Sequence, residues 1–325
     1  MERGRRNRRL LVVGLSGALL AVACGSDPES GDGDTAPAST TEAASTTEAA
    51  STTEAATTTE APPPTTTIAT PEPIPIEPPD GMELVWNDEF DGDAIDPENW
   101  TYDIGGWGWG NGEAQYYTDR SENARTQNGL LVIELREEQF EDSYYTSARL
   151  KSQGLQEFQY GWLEARIKVP SGSGTWPAFW MLGAEFDAES TDPAEQWPNV
   201  GEIDIMEYVG REPDLVLGTI HGPGYSGASG RSKWFRQDFA IADDFHTFAI
   251  DWDENGLRFH FDGEMYFDIG PDDLGEREWV FDQPFFFILN LALGGTLGGT
   301  IDLDLEFPIR YYVDHVRVYQ RVDQT

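Results

Sequence analysis

From residue 80 onward the chain consists of short apolar-rich runs broken by polar turn signals. The runs fall at Gly129–Arg136, Ser147–Ser152, Gly161–Val169, Ala178–Leu182 and Gly201–Tyr208, then at Leu215–His221, His246–Trp252, Leu257–Phe261, Phe285–Leu293 and Tyr311–Tyr319. Their lengths suit β-strands, several alternate apolar and polar positions, and none carries the 3.6-residue repeat of an amphipathic helix. Between them stand Asn128-Gly129, Glu254-Asn255-Gly256 and Asp262-Gly263, which supply the positive φ that tight hairpins need. The pattern predicts one all-β antiparallel domain over residues 80–325, two stacked sheets with a groove across one face.

One run breaks the alternation in an informative way. Residues 201–208 read Gly-Glu-Ile-Asp-Ile-Met-Glu-Tyr, so Glu202 and Asp204 share a face while strict alternation turns Glu207 to the other. A β-bulge at Ile205-Met206 restores the phase and puts three acids on one surface. The flanking Val200, Ile203, Tyr208 and Val209 predict a buried central strand, where unpaired acids are costly unless they line a cleft. Carboxylates held so close raise one another's pKa, and at least one proton is retained near neutral pH. A retaining glycosidase needs such a set: one ionised carboxylate as nucleophile and one protonated carboxyl as general acid. Glu202 and Glu207 fit that pair, with the shorter Asp204 between them in a supporting role.

Upstream of residue 80 the composition is of another kind. Arg3, Arg5, Arg6, Arg8 and Arg9 precede an apolar run from Leu10 to Ala23, too short to span a bilayer comfortably and expected to be a secretory signal over residues 1–24. It ends Leu20-Ala21-Val22-Ala23-Cys24-Gly25-Ser26, which resembles a bacterial lipobox with Ala21 where Leu is usual. Lipidation of Cys24 is the first expectation, and plain cleavage after Ala23 the second. Cys24 is the only cysteine, so an intramolecular disulfide is excluded. Residues 25–79, rich in Ser, Thr, Glu, Ala and Pro, are expected to be a disordered tether. The protein is then exported, and is either a cell-surface lipoprotein whose membrane contact is the N-terminal lipid alone or a secreted protein. A net charge of −38 disfavours nucleic acid, membrane surfaces and acidic polymers as partners and suits a neutral substrate. A monomer is expected.

Several further motifs join the carboxylates. They are Trp86-Asn87-Asp88-Glu89-Phe90, Asn111-Gly112-Glu113-Ala114-Gln115-Tyr116-Tyr117, Tyr160 to Lys168, Trp176-Pro177-Ala178-Phe179-Trp180-Met181-Leu182, Trp197-Pro198, Thr219-Ile220-His221-Gly222, Asn290 to Gly295 and Tyr312 to Tyr319. With them the domain resembles glycoside hydrolase family 16, in its laminarinase-like branch of endo-β-1,3-glucanases. The spacing Glu-x-Asp-x-x-Glu is the bulged form of that family's motif.

The resemblance implies a curved, concanavalin A-like jelly-roll sandwich with its groove on the concave face, and cleavage of β-1,3-glucan with retention of configuration. It implies Glu202 as nucleophile, Glu207 as acid and base, and Asp204 as their helper. Trp176, Trp180 and Trp197 are candidate platforms for sugar rings, against core packing as the plain alternative. Trp107 and Trp109 are candidates for a groove rim. His221 and Asn290 are expected to contact substrate, and Arg166 either to do so or to make an ion pair within its sheet. No cofactor is expected for catalysis, and a structural calcium is expected at Glu89, the Gly129 carbonyl and Asp314. Two alternatives stay open: the same chemistry on another β-glycan such as a galactan, or a non-catalytic glucan-binding surface protein.

Overall fold

The structure is a computed structural model that describes residues 68–322. The signal-like segment, Cys24 and the tether as far as residue 67 lie outside those residues. The described chain begins with β1 (Met82–Asp88), β2 (Thr101–Tyr102), β3 (Tyr116–Tyr117), β4 (Ala124–Thr126), β5 (Leu131–Phe140) and β6 (Ser143–Ser147). It continues through β7 (Arg149–Lys151), β8 (Glu157–Phe158), β9 (Gly161–Lys168), β10 (Thr175–Gly183), β11 (Glu202–Tyr208) and β12 (Leu215–His221). The last part supplies β13 (Arg231–Arg236), β14 (His246–Asp253), β15 (Gly256–Phe261), β16 (Glu264–Ile269), β17 (Phe285–Leu293) and β18 (Ile309–Arg321). The α-helix among the described residues is a single turn, Gly295–Gly298.

These strands make two sheets. One, the outer sheet, runs β16-β15-β14-β9-β18-β5-β6-β3, with β1 on β18 and β4 on β5. The groove sheet runs β13-β12-β11-β10-β17-β7-β2, with β8 beside β17. Pairing is antiparallel, as expected, except that β3 and β6 run parallel. The predicted run Ser147–Ser152 is divided at Ala148, where the chain leaves the outer sheet as β6 and joins the groove sheet as β7.

The strand patterns show how the layers meet. In β9 every second residue is buried, Leu163, Ala165 and Ile167 facing in while Glu164, Arg166 and Lys168 face out. β17 is buried throughout, as a strand must be when one side meets the core and the other floors a cleft. Phe179, Ile203, Phe287 and Leu289 of the groove sheet close on Leu163, Phe248 and Val316 of the outer sheet in one apolar cluster. Each large apolar side chain buried this way contributes roughly 1.5–3 kcal/mol.

Residues 68–79, assigned to the tether by composition, belong with the folded unit. Asn128 Nδ2 donates to the Ile68 carbonyl at 3.1 Å, and Arg317 Nη2 to the Ile74 carbonyl at 2.9 Å. A Pro-rich extended segment makes no hydrogen bonds of its own, so its carbonyls are free to accept from these side chains.

Candidate active site

The bulge lies where the phase of the three acids requires it. On one side of β11, Asp204 pairs with Thr219 and Glu207 with Leu217, three steps against two. On the other, Met206 pairs with Phe179 and Asp204 with Trp180, two steps against one. The extra residue sends Ile203, Ile205, Met206 and Tyr208 into the core and leaves Glu202, Asp204 and Glu207 lining one groove. Gly201, at φ 79°, leads into the strand where an added Cβ would stand 2.9 Å from Val280 and 3.0 Å from Phe285.

The groove encloses about 900 Å³, within the range of pockets that bury most of a small ligand. Its floor follows from the strand register. Asp204 lies beside Trp180 of β10, and Glu207 beside Ala178, which pairs in turn with Asn290 of β17. Trp176 Nε1 donates to Glu207 Oε1 at 3.0 Å, so this indole steers a carboxylate as well as lining the wall. Trp180 Nε1 donates to Asn290 Oδ1 at 2.7 Å, and Asn290 Nδ2 to the Tyr117 hydroxyl at 3.0 Å. Trp197 stands at the rim, 43% exposed, its ring centroid 6.2 Å from that of His221. Trp107 and Trp109 also line the groove, their rings tilted at 36° with centroids 4.1 Å apart. His221 pairs in register with Glu202, as the predicted hairpin requires. Its Nε2 is 3.2 Å from Asp204 Oδ2 and 3.6 Å from Glu202 Oε1.

Burial raises all three carboxyls, and neighbouring charge adds to the rise at Glu202 and Glu207. Glu202 is pushed up to about 8 by desolvation and then by the Asp204 charge, with His221 opposing. Desolvation takes Asp204 to about 8 as well. Glu207 rises well above the usual carboxylate range through desolvation and the charges of Asp204 and Glu202. Burial and mutual repulsion therefore favour retained protons within the trio near neutral pH.

Two expectations change. Arg166 is on β9 of the outer sheet, where Nη1 pairs with Asp314 Oδ2 at 3.0 Å and the guanidinium lies 4.8 Å over the Phe245 ring; it does not line the groove. The ion pair is its role, because alternation along β9 turns it to the face away from the core. The calcium trio does not fit a cation as these residues stand. Arg317 Nε and Nη2 both donate to the Glu89 carboxylate at 2.8 Å, and Asp314 is taken by Arg166 and by His315 Nδ1 at 3.2 Å. A divalent ion at either carboxylate would share it with a guanidinium.

Sequence reasoning missed Arg149. Its guanidinium lies 4.8 Å from the Trp109 ring and 4.7 Å from the Trp180 ring, and its Nε is 2.9 Å from Asp103 Oδ2. A cation between two indoles fixes the angle of both walls. Glu113 was also missed, although the motif around it was visible. It is a buried carboxylate that accepts from Asn111 Nδ2, Gln115 Nε2 and the Tyr117 hydroxyl at 3.1, 2.7 and 3.0 Å.

Residues 111–304 match the family described as glycosyl hydrolases family 16. A β-glucanase of Rhodothermus marinus is 46% identical over 250 residues, covering 74% of this chain and 86% of the relative. The catalytic domain of an endo-1,3-β-glucanase (laminarinase) from Thermotoga petrophila superposes with a TM-score of 0.70 at 45% identity, covering 74% of this chain and 99% of that one. The endo-β-1,3-glucanase of Pyrococcus furiosus gives 0.70 at 43%, with 74% and 95% covered.

Proposed function

Because the chain belongs to the glycosyl hydrolases of family 16, we propose that it cleaves β-1,3-glucan internally and retains the anomeric configuration, with its bulged β11 as the catalytic strand. The observation that carries this reading is the alignment of Glu202, Asp204 and Glu207 along the groove by a bulge seen from both neighbouring strands.

The reaction runs in two displacements. Glu202, its proton passed to Asp204, attacks the anomeric carbon as the bond to the glycosidic oxygen breaks, and Glu207 gives its proton to that oxygen, so the leaving chain departs as an alcohol. A glycosyl ester on Glu202 remains. Esterification removes the Glu202 charge, one of the causes that hold Glu207 high, and Glu207 is then a better base. It takes a proton from water, whose oxygen attacks the anomeric carbon and releases Glu202. Trp176 supports both halves by keeping its N–H on Glu207 Oε1. Asp204, buried beside Glu202, raises the Glu202 pKa in the free enzyme and offers a second oxygen for its proton.

The groove chemistry supports a neutral sugar chain: indoles stand at Trp107, Trp109, Trp176, Trp180 and Trp197, with Arg149 and Lys151 as its cations. Incubation with laminarin, curdlan, lichenan, agarose and carrageenan tests the substrate by reducing-sugar release. Laminarin and curdlan are expected to be cut, with the β-anomer appearing first by NMR. Agarose cut while laminarin stays intact would transfer the chemistry to a galactan, and early α-anomer would overturn the roles of Glu202 and Glu207.

A further inference from the structure

We propose that Glu202, Asp204 and His221 form a site for a divalent cation of the zinc class, which binds from the groove and reversibly blocks the carboxylates. Three donor atoms, one per side chain, lie within 4.8 Å of one another. His221 Nε2 is 3.2 Å from Asp204 Oδ2 and 3.6 Å from Glu202 Oε1. Two ligands on a tetrahedral ion, with bonds of about 2.0–2.1 Å, stand about 3.3 Å apart. The two measured edges bracket that value, and the long side chain of Glu202 can close the third.

A second observation separates this cluster from an ordinary acidic patch. Asp204 is 4% exposed, and its Oδ2 has no hydrogen-bond partner among the described residues although an imidazole nitrogen is 3.2 Å away. The contact lacks the direction of a hydrogen bond, so an oxygen lone pair is left where the donors converge. A buried oxygen in that condition is costly, and a shared cation relieves the cost. The imidazole is held from behind. At Gly230 an added Cβ would come 2.6 Å from His221 Nδ1, so only glycine lets the ring seat where it does.

The donor set selects the ion. One imidazole nitrogen and two carboxylates suit zinc, cobalt or copper, whereas calcium takes six to eight oxygens and magnesium a near-octahedral oxygen shell. The net charge of −38 raises the local concentration of every cation and discriminates among none of them. A zinc-class ion held here occupies Glu202 and Asp204 together and competes with the sugar for the same floor.

Titration of the chelator-treated protein with Co2+ reads the site directly. One equivalent is expected to give the visible absorption of tetrahedral cobalt, and that band is expected to fade on adding Zn2+ or laminari-oligosaccharide. His221→Gln and Asp204→Asn, each checked for folding by circular dichroism, are expected to weaken cobalt binding at least about tenfold, the lower end of what losing even an outer partner costs. His246→Ala, on a histidine paired with Asp262 on the outer sheet, is expected to leave it unchanged. Absorption of hydrated cobalt only would overturn the proposal. So would a tetrahedral band that persists in folded His221→Gln, or one indifferent to oligosaccharide. The spectrum needs no turnover, so a protein inactive on glucans could still hold the ion, and an active glucanase could fail to.

Discussion

At the scale of single residues, the chemistry rests on how one groove treats like carboxyls. Glu207→Gln is expected to lower kcat on laminarin by about 10²–10⁴, the usual share of a general acid, and to lower it much less on an aryl glucoside whose leaving group needs no proton. Equal losses on both substrates would remove Glu207 as the acid. Stability should report the same environment. The Glu202 carboxyl sits at about 8 in the folded protein against an ordinary 4.5, so folding favours its neutral form. Its contribution is complete below the ordinary value and is lost as pH rises towards about 8. Glu202→Gln is thus expected to raise Tm at about pH 9 and to change it little at about pH 4, and melting curves at both pH values check the sign. These three acids were legible in the sequence because their spacing conflicts with strand alternation and only a bulge reconciles it. Arg149 was not, because Asp103, Trp109 and Trp180 reach it from three separate segments. For Arg166 the sequence left two roles open, because alternation tells which residues share a face but not which sheet the face belongs to, and the ion pair with Asp314 is the one the structure shows.

At the scale of elements, β11 is held in phase from both sides, and its register is the device that aims Glu207. Inserting one alanine between Met206 and Glu207 should turn that carboxylate towards the core, where Ile205 and Met206 lie fully buried. The expected outcome is loss of turnover with a lowered Tm, since a one-residue slip exchanges the faces of everything beyond it. A folded insertion variant with undiminished activity would show that the bulge does not set the site. The long apolar strands were readable because burial writes itself into their composition, β17 above all. β13 was not predicted, because it is an edge strand whose residues Arg231–Arg236 are all at least partly exposed and follow no apolar period. β1 and β16 escaped for a similar reason, their positions being mostly partly exposed or open.

At the scale of the whole molecule, the two sheets divide the work. The outer sheet carries ion pairs such as Glu89 with Arg317 and Asp314 with Arg166, while on the groove sheet Glu202, Asp204 and Glu207 stand without guanidinium partners. Composition marked residues 68–79 as tether because proline and polar residues build no core, and it could not register that their carbonyls would be taken by Arg317 and Asn128. A chain beginning at residue 80 is expected to fold with a Tm lower by a few degrees than one beginning at 68. The lost hydrogen bonds are worth about 0.5–1.5 kcal/mol each, and about 2–4 °C follows each kcal/mol in a domain of this size. Identical melting temperatures would show that the segment only rests on the surface. The same segment has a mechanical consequence. A pull on residue 68 meets Asn128 first and Arg317 next, and the chain then leads into β1 and its partner β18 on the outer sheet, so the load path does not run through β11.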